Sequence, residues 1–400
     1  MRNIILFFAS TLIILNATAQ EWEPTAAIPG FLTDHSFGFS LDGKGYLVAG
    51  TTEFDGPSSA FYQYDPLADS WTALDAFPGA ARGYGIGDVW DGKAYFGFGT
   101  STEAQLKDLW VFDPDSMKWT ELDTCLCEPR LHPAFVAHEG KIFVGLGNNS
   151  NGNLNDWWEY DIASGIWEQK PDFPGSRRHH PFMFAIGNYI YTGFGHGAGI
   201  YKEWYRYDPA TETWLQVADL PAEGRVAGTQ FSYADRGYVL SGDGEDHSSM
   251  EEGEFWEYNP VTNEWAQLPP HPGKSRWAPA SFIIDGVVYL INGSSYFAGS
   301  GYVFQEEAFK FDLEALISSS EEPENKPDVT LWPNPVTEEI FFSSDQNEIS
   351  SIQVYSLSGQ LLMKQSVNDG SMDVSKLPTG VYEVVLEMDN NFVTKLIHRK

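Results

Sequence analysis

At 400 residues the chain is longer than one ordinary domain and calls for two. Aromatic residues make up 15% of it, with 38 glycines and 23 prolines, which favours short strands and tight turns over long helices. A formal charge of −32 excludes nucleic acid as a partner, because phosphate binding needs a basic surface, and such a charge keeps an exported protein soluble.

Residues 1–19 read as a secretory signal peptide: Arg2, an apolar run from Ile4 to Leu15, then the small-residue site Ala17-Thr18-Ala19. No later stretch has the length and apolarity of a membrane span, and none is expected. Trp22 follows in Glu21-Trp22-Glu23-Pro24-Thr25, with no turn motif before it. From there a period of about 48 residues runs along the chain, the mark of a repeat architecture. Each copy has a first strand, a turn such as Asp42-Gly43-Lys44 or Asp91-Gly92-Lys93, and a second strand ending at Gly50, Gly99, Gly147, Gly195, Gly242 or Gly293. A variable loop leads to a third strand with two aromatics on one face, as in Tyr62/Tyr64 and Trp158/Tyr160. An aromatic–Asp/Asn turn follows, and then Trp71, Trp119, Trp167, Trp214 or Trp265 opens a fourth strand. The sixth copy, Phe311-Asp312-Leu313, lacks this Trp, and Trp22 lacks the turn. The two orphans fit each other. The expectation is an all-β six-bladed β-propeller over residues 20–317, closed by its own N-terminal strand.

One column of the repeat carries Thr33, Arg82, Arg130, Arg178, Arg225 and Arg276, so five of the ten arginines share a position. Two residues further on stand His35, Tyr84, His132, His180, Ala227 and Ala278. First strands are innermost in such a ring, which brings the column to one mouth of the central channel. A ring of guanidiniums suits a carboxylate ligand, unless blade carboxylates pair with it. The candidate ligand-binding set is therefore Arg82, Arg130, Arg178, Arg225, Arg276, His35, Tyr84, His132 and His180. The loop from Gly242 to Glu254 is strongly acidic and reads as solvated, with pairing to the arginines or cation binding as alternatives. His179-His180, His132 and His35 have no carboxylate or Cys at ligand spacing, so no metal and no cofactor are expected. Cys125 and Cys127 flank Leu126 and read as two loop thiols, with a labile disulfide or a metal contact as the alternatives. No Gly-x-Ser-x-Gly, His-Glu-x-x-His or phosphate loop occurs, and no catalytic residue is assigned.

Residues 318–328 (SSSEEPENKPD) read as a linker, and 329–400 as a separate small β-sandwich of short alternating strands.

The glycine-ended second strand, the aromatic-Asp-Pro turn and the Trp six residues on, followed by Pro and Arg, resemble the kelch repeat over residues 21–313. The kelch double glycine is single here, preceded by Ala49, Phe98, Leu146, Phe194, Ser241 or Asn292. The C-terminal segment resembles the type A C-terminal sorting domain of the type IX secretion system of Bacteroidota. It does so through Pro333, Asn334, Pro335, Gly359, Gly380-Val381-Tyr382 and the terminal Thr394-Lys395-Leu396 with Arg399 and Lys400. That resemblance implies partnership with the secretion machinery and a secreted or surface location. Blade count, export and the Arg column are also similar to the N-acetylneuraminate epimerases, cofactor-free sugar mutarotases. The copper ligand set of galactose oxidase, another kelch propeller, finds no match. The expectation is a monomeric exported binding module for an acidic glycan or protein partner, with the mutarotase as the alternative.

Overall fold

The computed structural model describes residues 21–53, 56–320, 329–344, 349–356, 361–366, 370–388 and 391–400. The expected leader, most of the expected linker and Gly359 lie outside these residues. Among the described residues the chain is all-β apart from one helix, Leu313–Ser320, and no helix there is long and apolar enough to cross a membrane. It divides into two compact units, one ending at Leu316 and the other beginning at Ile317.

The first unit contains six antiparallel four-stranded sheets. The first sheet runs through Phe37–Leu41, Lys44–Val48, Phe61–Asp65 and Ser70–Ala73 in sequence order. The next four sheets begin at Ile86, Ala134, Phe182 and Thr229 and repeat this order. The sixth sheet, Ala280–Ile284, Val287–Ile291 and Ala308–Asp312, takes its outer strand from Glu23–Thr25. Glu23 pairs with Lys310 and Thr25 with Ala308, so the two orphan ends of the repeat are joined in one sheet.

Successive sheets are tied by equivalent backbone bonds. The amides of Gly50, Gly99, Gly147, Gly195 and Gly242 donate to the carbonyls of Arg82, Arg130, Arg178, Arg225 and Arg276 on the following sheet. The sixth, from Gly293, returns to Thr33 beside the first sheet, and all six span 2.7–3.0 Å. Hydrophobic clusters fill the same six interfaces. Phe39, Tyr46 and Phe61 meet Phe96 and Phe112 between the first and second sheets, while Phe282 and Tyr289 of the sixth meet Leu47 and Tyr64 of the first. Each sheet thus covers an aromatic face that it could not bury alone.

The tryptophans act as inter-sheet staples. Trp71, Trp167, Trp214 and Trp265 donate their indole N–H to the carbonyls of Ala26, Asp123, Pro171 and Ala218, each beside the preceding sheet. Trp22 does the same to Pro269 at 2.9 Å and packs on Phe311, the place a sixth Trp would take. In each Trp-bearing copy the Asp or Asn side chain caps the turn, as Asp65 accepts from the amide of Leu67. Asp312 instead accepts from the amide of Ala315 and so caps the helix that replaces the missing strand.

The residue before each closing glycine explains the departure from the double glycine. Ala49, Phe98, Leu146, Phe194, Ser241 and Asn292 all have φ between 55° and 64°, the left-handed region that glycine enters freely. Here the fold holds larger residues in it. Cys125 and Cys127, expected as thiols, form a disulfide and are buried between the second and third sheets.

In the second unit a three-stranded sheet (Val329–Trp332, Glu339–Ser344, Ser371–Asp373) and a four-stranded sheet share one core. Ile340, Phe342, Val354, Val384 and Ile397 meet there. The amide of His398 donates to Asn334 Oδ1 at 2.9 Å, which ties the Pro333–Pro335 turn to the last strand, Asn391–Arg399. Gly380 pairs with Arg399 and exposed Lys395 with Val384, while the Tyr382 hydroxyl donates to the carbonyl of Pro378.

Because Trp22 is buried and bonded across the ring, Trp22→Ala is expected to cost about 3–5 kcal/mol in urea unfolding. Trp22→Phe, which keeps most of the ring, should cost about 1 kcal/mol for the lost hydrogen bond.

Candidate functional site

The first strands of all six sheets line a cavity of about 530 Å³, and His35, Tyr84, His132 and His180 stand in its wall. None of the five column arginines lines it. Arg82, Arg130, Arg178, Arg225 and Arg276 are 0–2% exposed and turn back into their own sheets. Arg82 and Arg130 grip Asp108 and Asp156 through paired bonds of 2.7 Å. Arg225 bonds Glu254 at 2.5 Å, and Arg178 lies 3.7 Å from Glu203 with its guanidinium over Tyr201. Arg276 has carbonyl partners instead, those of Asn292 and Glu307, and lies over Phe309. Burial, above all, lowers its pKa to about 10. Arg82, Arg130, Arg178 and Arg276 also donate to the carbonyl of the left-handed residue sixteen positions on. Arg82, Arg130, Arg178 and Arg276 therefore clamp the two ends of their own sheets' variable loops, while Arg225 holds the far end through Glu254. The expected ring of guanidiniums at the mouth does not form, because a carboxylate or carbonyl inside each sheet holds the fork.

The residues two positions on behave differently. His35, Tyr84, His132, His180, Ala227 and Ala278 all have φ between 44° and 62°. The amide of His180 donates to His132, that of Ala278 to Ala227, and that of His35 to Ala278. This backbone turns the side chains towards one another. Tyr84 sits between His35 and His132, with ring centroids 4.1 and 4.2 Å away, and His132 stacks on His180 at 3.4 Å. Side-chain nitrogens of His35, His132 and His180 lie within 4.8 Å of one another. The repeat spacing set the three in one column, and the structure adds that their rings converge.

Further aromatic rings continue this layer. Trp277 is 5.0 Å from His180 and 5.1 Å from His247, His247 is 5.1 Å from His196, and Tyr302 is 6.0 Å from Trp277. Six of the nine histidines thus join one cluster. Burial, above all, with neighbouring imidazoles pushes His132 and His180 well below the usual pKa and His179 down to about 4, so these rings are neutral at pH 7. Beside them the hairpin Ser294–Phe297/Gly301–Phe304 exposes Tyr296, Phe297 and Tyr302. The Tyr302 hydroxyl donates to buried Asp243, whose carboxyl burial pushes up. Trp277, His196, His247 and Tyr302 were not singled out in the sequence. The column one residue after the arginines, which holds His179 and Trp277, was the available signal.

Deeper in the cavity Asp88 occupies the middle of its first strand, where the other sheets place Phe39, Val136, Phe184, Phe231 and Phe282. It accepts from the amides of Val89 and of Ala137 on the next sheet, and burial pushes its pKa up to about 6.

The chain is thus an all-β protein in two units, the larger carrying a cavity lined by the first strands of its six sheets. Residues 330–399 match the secretion system C-terminal sorting domain family. That domain makes the chain a secreted or cell-surface protein delivered by type IX secretion, with the secretion machinery as a partner. No curated protein matches the chain.

Burial raises the Asp156 carboxyl, but the Arg130 fork and the indole N–H of Trp158 outweigh it, and the pKa is lowered. A lowered carboxyl pKa contributes stability above the unfolded value of about 4 and loses it as pH falls through the folded one. Arg130→Ala is expected to cost about 3–5 kcal/mol at pH 7. The cost should shrink as pH falls through the carboxylate range, because the orphaned carboxyl, raised by burial, protonates before the paired one does. Unfolding curves at pH 7 and pH 3.5 check both statements.

Proposed function

We propose that residues 20–317 are a six-bladed kelch-type β-propeller that binds a neutral glycan at the face carrying the imidazole and aromatic layer. Type IX secretion delivers this module to the cell exterior. The observation that carries the reading is the exposed aromatic hairpin, Tyr296, Phe297 and Tyr302, set beside Trp277 and the histidine layer. Flat aromatic faces stack on the apolar faces of sugar rings, and imidazole, hydroxyl and carboxylate groups next to them supply directional hydrogen bonds. The cyclic hydrogen bonds and the six shared cores support the propeller assignment.

An acidic ligand suits this face less well. The arginines that would have anchored it are buried and engaged within the sheets, and Asp243 with its acidic loop lies beside Tyr302 and His247. The same withdrawal removes the Arg anchor on which the mutarotase alternative depends. A glycan panel probed with the purified chain is expected to give binding to neutral oligosaccharides with little salt dependence. Phe297→Ala and Tyr302→Ala should each weaken it roughly tenfold, the loss of about 1–1.5 kcal/mol of stacking. Retention of anionic saccharides alone, or unchanged affinity in both variants, would sink the reading.

A further inference from the structure

We infer that His35, His132 and His180 form a binding site for a divalent transition ion of the zinc type. Three imidazole ligands suit zinc, copper, nickel or cobalt and do not suit calcium or magnesium, which take oxygen ligands. Four observations converge on the site. First, the backbone of all three residues is held left-handed by the ring, so the side chains are delivered to one point from three different sheets. Second, the nitrogens already lie close. His35 Nε2 and His180 Nε2 are 2.9 Å apart, and the full set falls within 4.8 Å. Nitrogens bound to one ion at about 2.0–2.1 Å stand roughly 3.4 Å apart, so separations of up to 4.8 Å close by about 1.4 Å to complete the set.

Third, the polar atoms are unspent. Both ring nitrogens of His132 and Nδ1 of His180 are buried without a hydrogen-bond partner, a state that is destabilising in the absence of a compensating bond. Fourth, His35 Nδ1 bonds Asp34 Oδ1 at 2.8 Å. A carboxylate behind an imidazole fixes the tautomer that leaves Nε2 free, as in many metal sites. The histidines that continue the layer differ here, since His179 Nδ1 is engaged by Asn153 Oδ1 at 2.8 Å and lies outside the triad. With three protein ligands the ion keeps a coordination position, and a bound water or sugar hydroxyl is the class of ligand that fits it.

The site is independent of the glycan reading, because its test contains no saccharide. The untagged full chain is stripped with chelator and titrated with zinc chloride by calorimetry, with zinc content measured after dialysis. One equivalent per chain is expected. His132→Phe and His180→Phe, which keep a ring in the stack, should each lower affinity roughly 100-fold or more. Asp34→Asn should lower it roughly 10–100-fold, and His196→Ala and His247→Ala should leave it unchanged. X-ray absorption at the zinc edge of the loaded wild-type chain keeps the test decisive should the Phe variants fail to fold. Three imidazoles are expected there, and one or none overturns the site. So does a chain that retains no zinc, or full affinity in a folded His132→Phe variant.

Discussion

Six equivalent backbone hydrogen bonds, each from a glycine amide to the first column residue of the next sheet, are the constraint on which the larger unit depends. Five join neighbours in sequence. The sixth, Gly293 to Thr33, joins residues 260 positions apart and makes the series a circuit. Closure of so long a loop is entropically costly, and the interface between sixth and first sheets must offset it. The outer strand Glu23–Thr25, the Trp22 staple and the Phe282–Tyr64 cluster supply that interface. Without the circuit the six first strands would enclose no cavity, and His35 would not meet His132 and His180.

The arginine column and the histidine column illustrate how two residues of separation divide support from recognition. Each arginine lies beside the bond just described, and Arg82, Arg130, Arg178 and Arg276 reach back to hold the entry and exit of their sheets' variable loops. Paired forks on Asp108 and Asp156 satisfy the buried guanidiniums of Arg82 and Arg130 most fully, whereas Arg178 Nη2 and Arg225 Nε are buried without a partner. Two residues on, a left-handed backbone aims the next side chain at the axis. Where that residue is alanine, as in the fifth and sixth sheets, space opens beside it. Where it is histidine or tyrosine, the rings gather into a single layer, the histidines stacked and Tyr84 edge-on between His35 and His132.

Much of the architecture was legible because it is written as a period. The Trp series, the aromatic third strands and the misplaced Trp22 specify six sheets and their closure without reference to any side-chain direction. The site was less legible. A column in a repeat fixes where a residue sits and leaves open which way it points, so five arginines at one position read as a mouth. The acid 26 residues after Arg82 and Arg130, Asp108 and Asp156, was the sequence signal that they point inward. The repeat column placed the members of the histidine triad at one position of the first, third and fourth repeats, but no glycine betrays the left-handed φ that turns their rings together. In the second unit, by contrast, Pro333, Asn334, Pro335, Gly380 and Tyr382 were readable because a local turn and a strand start are written in consecutive residues.

Hydrogen exchange tests the circuit most directly. In a ring that opens only as a whole, the amides of Gly50, Gly99, Gly147, Gly195, Gly242 and Gly293 exchange through global unfolding. All six are then expected to show the same protection, equal to the stability of the larger unit. Gly293 exchanging orders of magnitude faster than the other five would contradict closure and describe an open array with a frayed end.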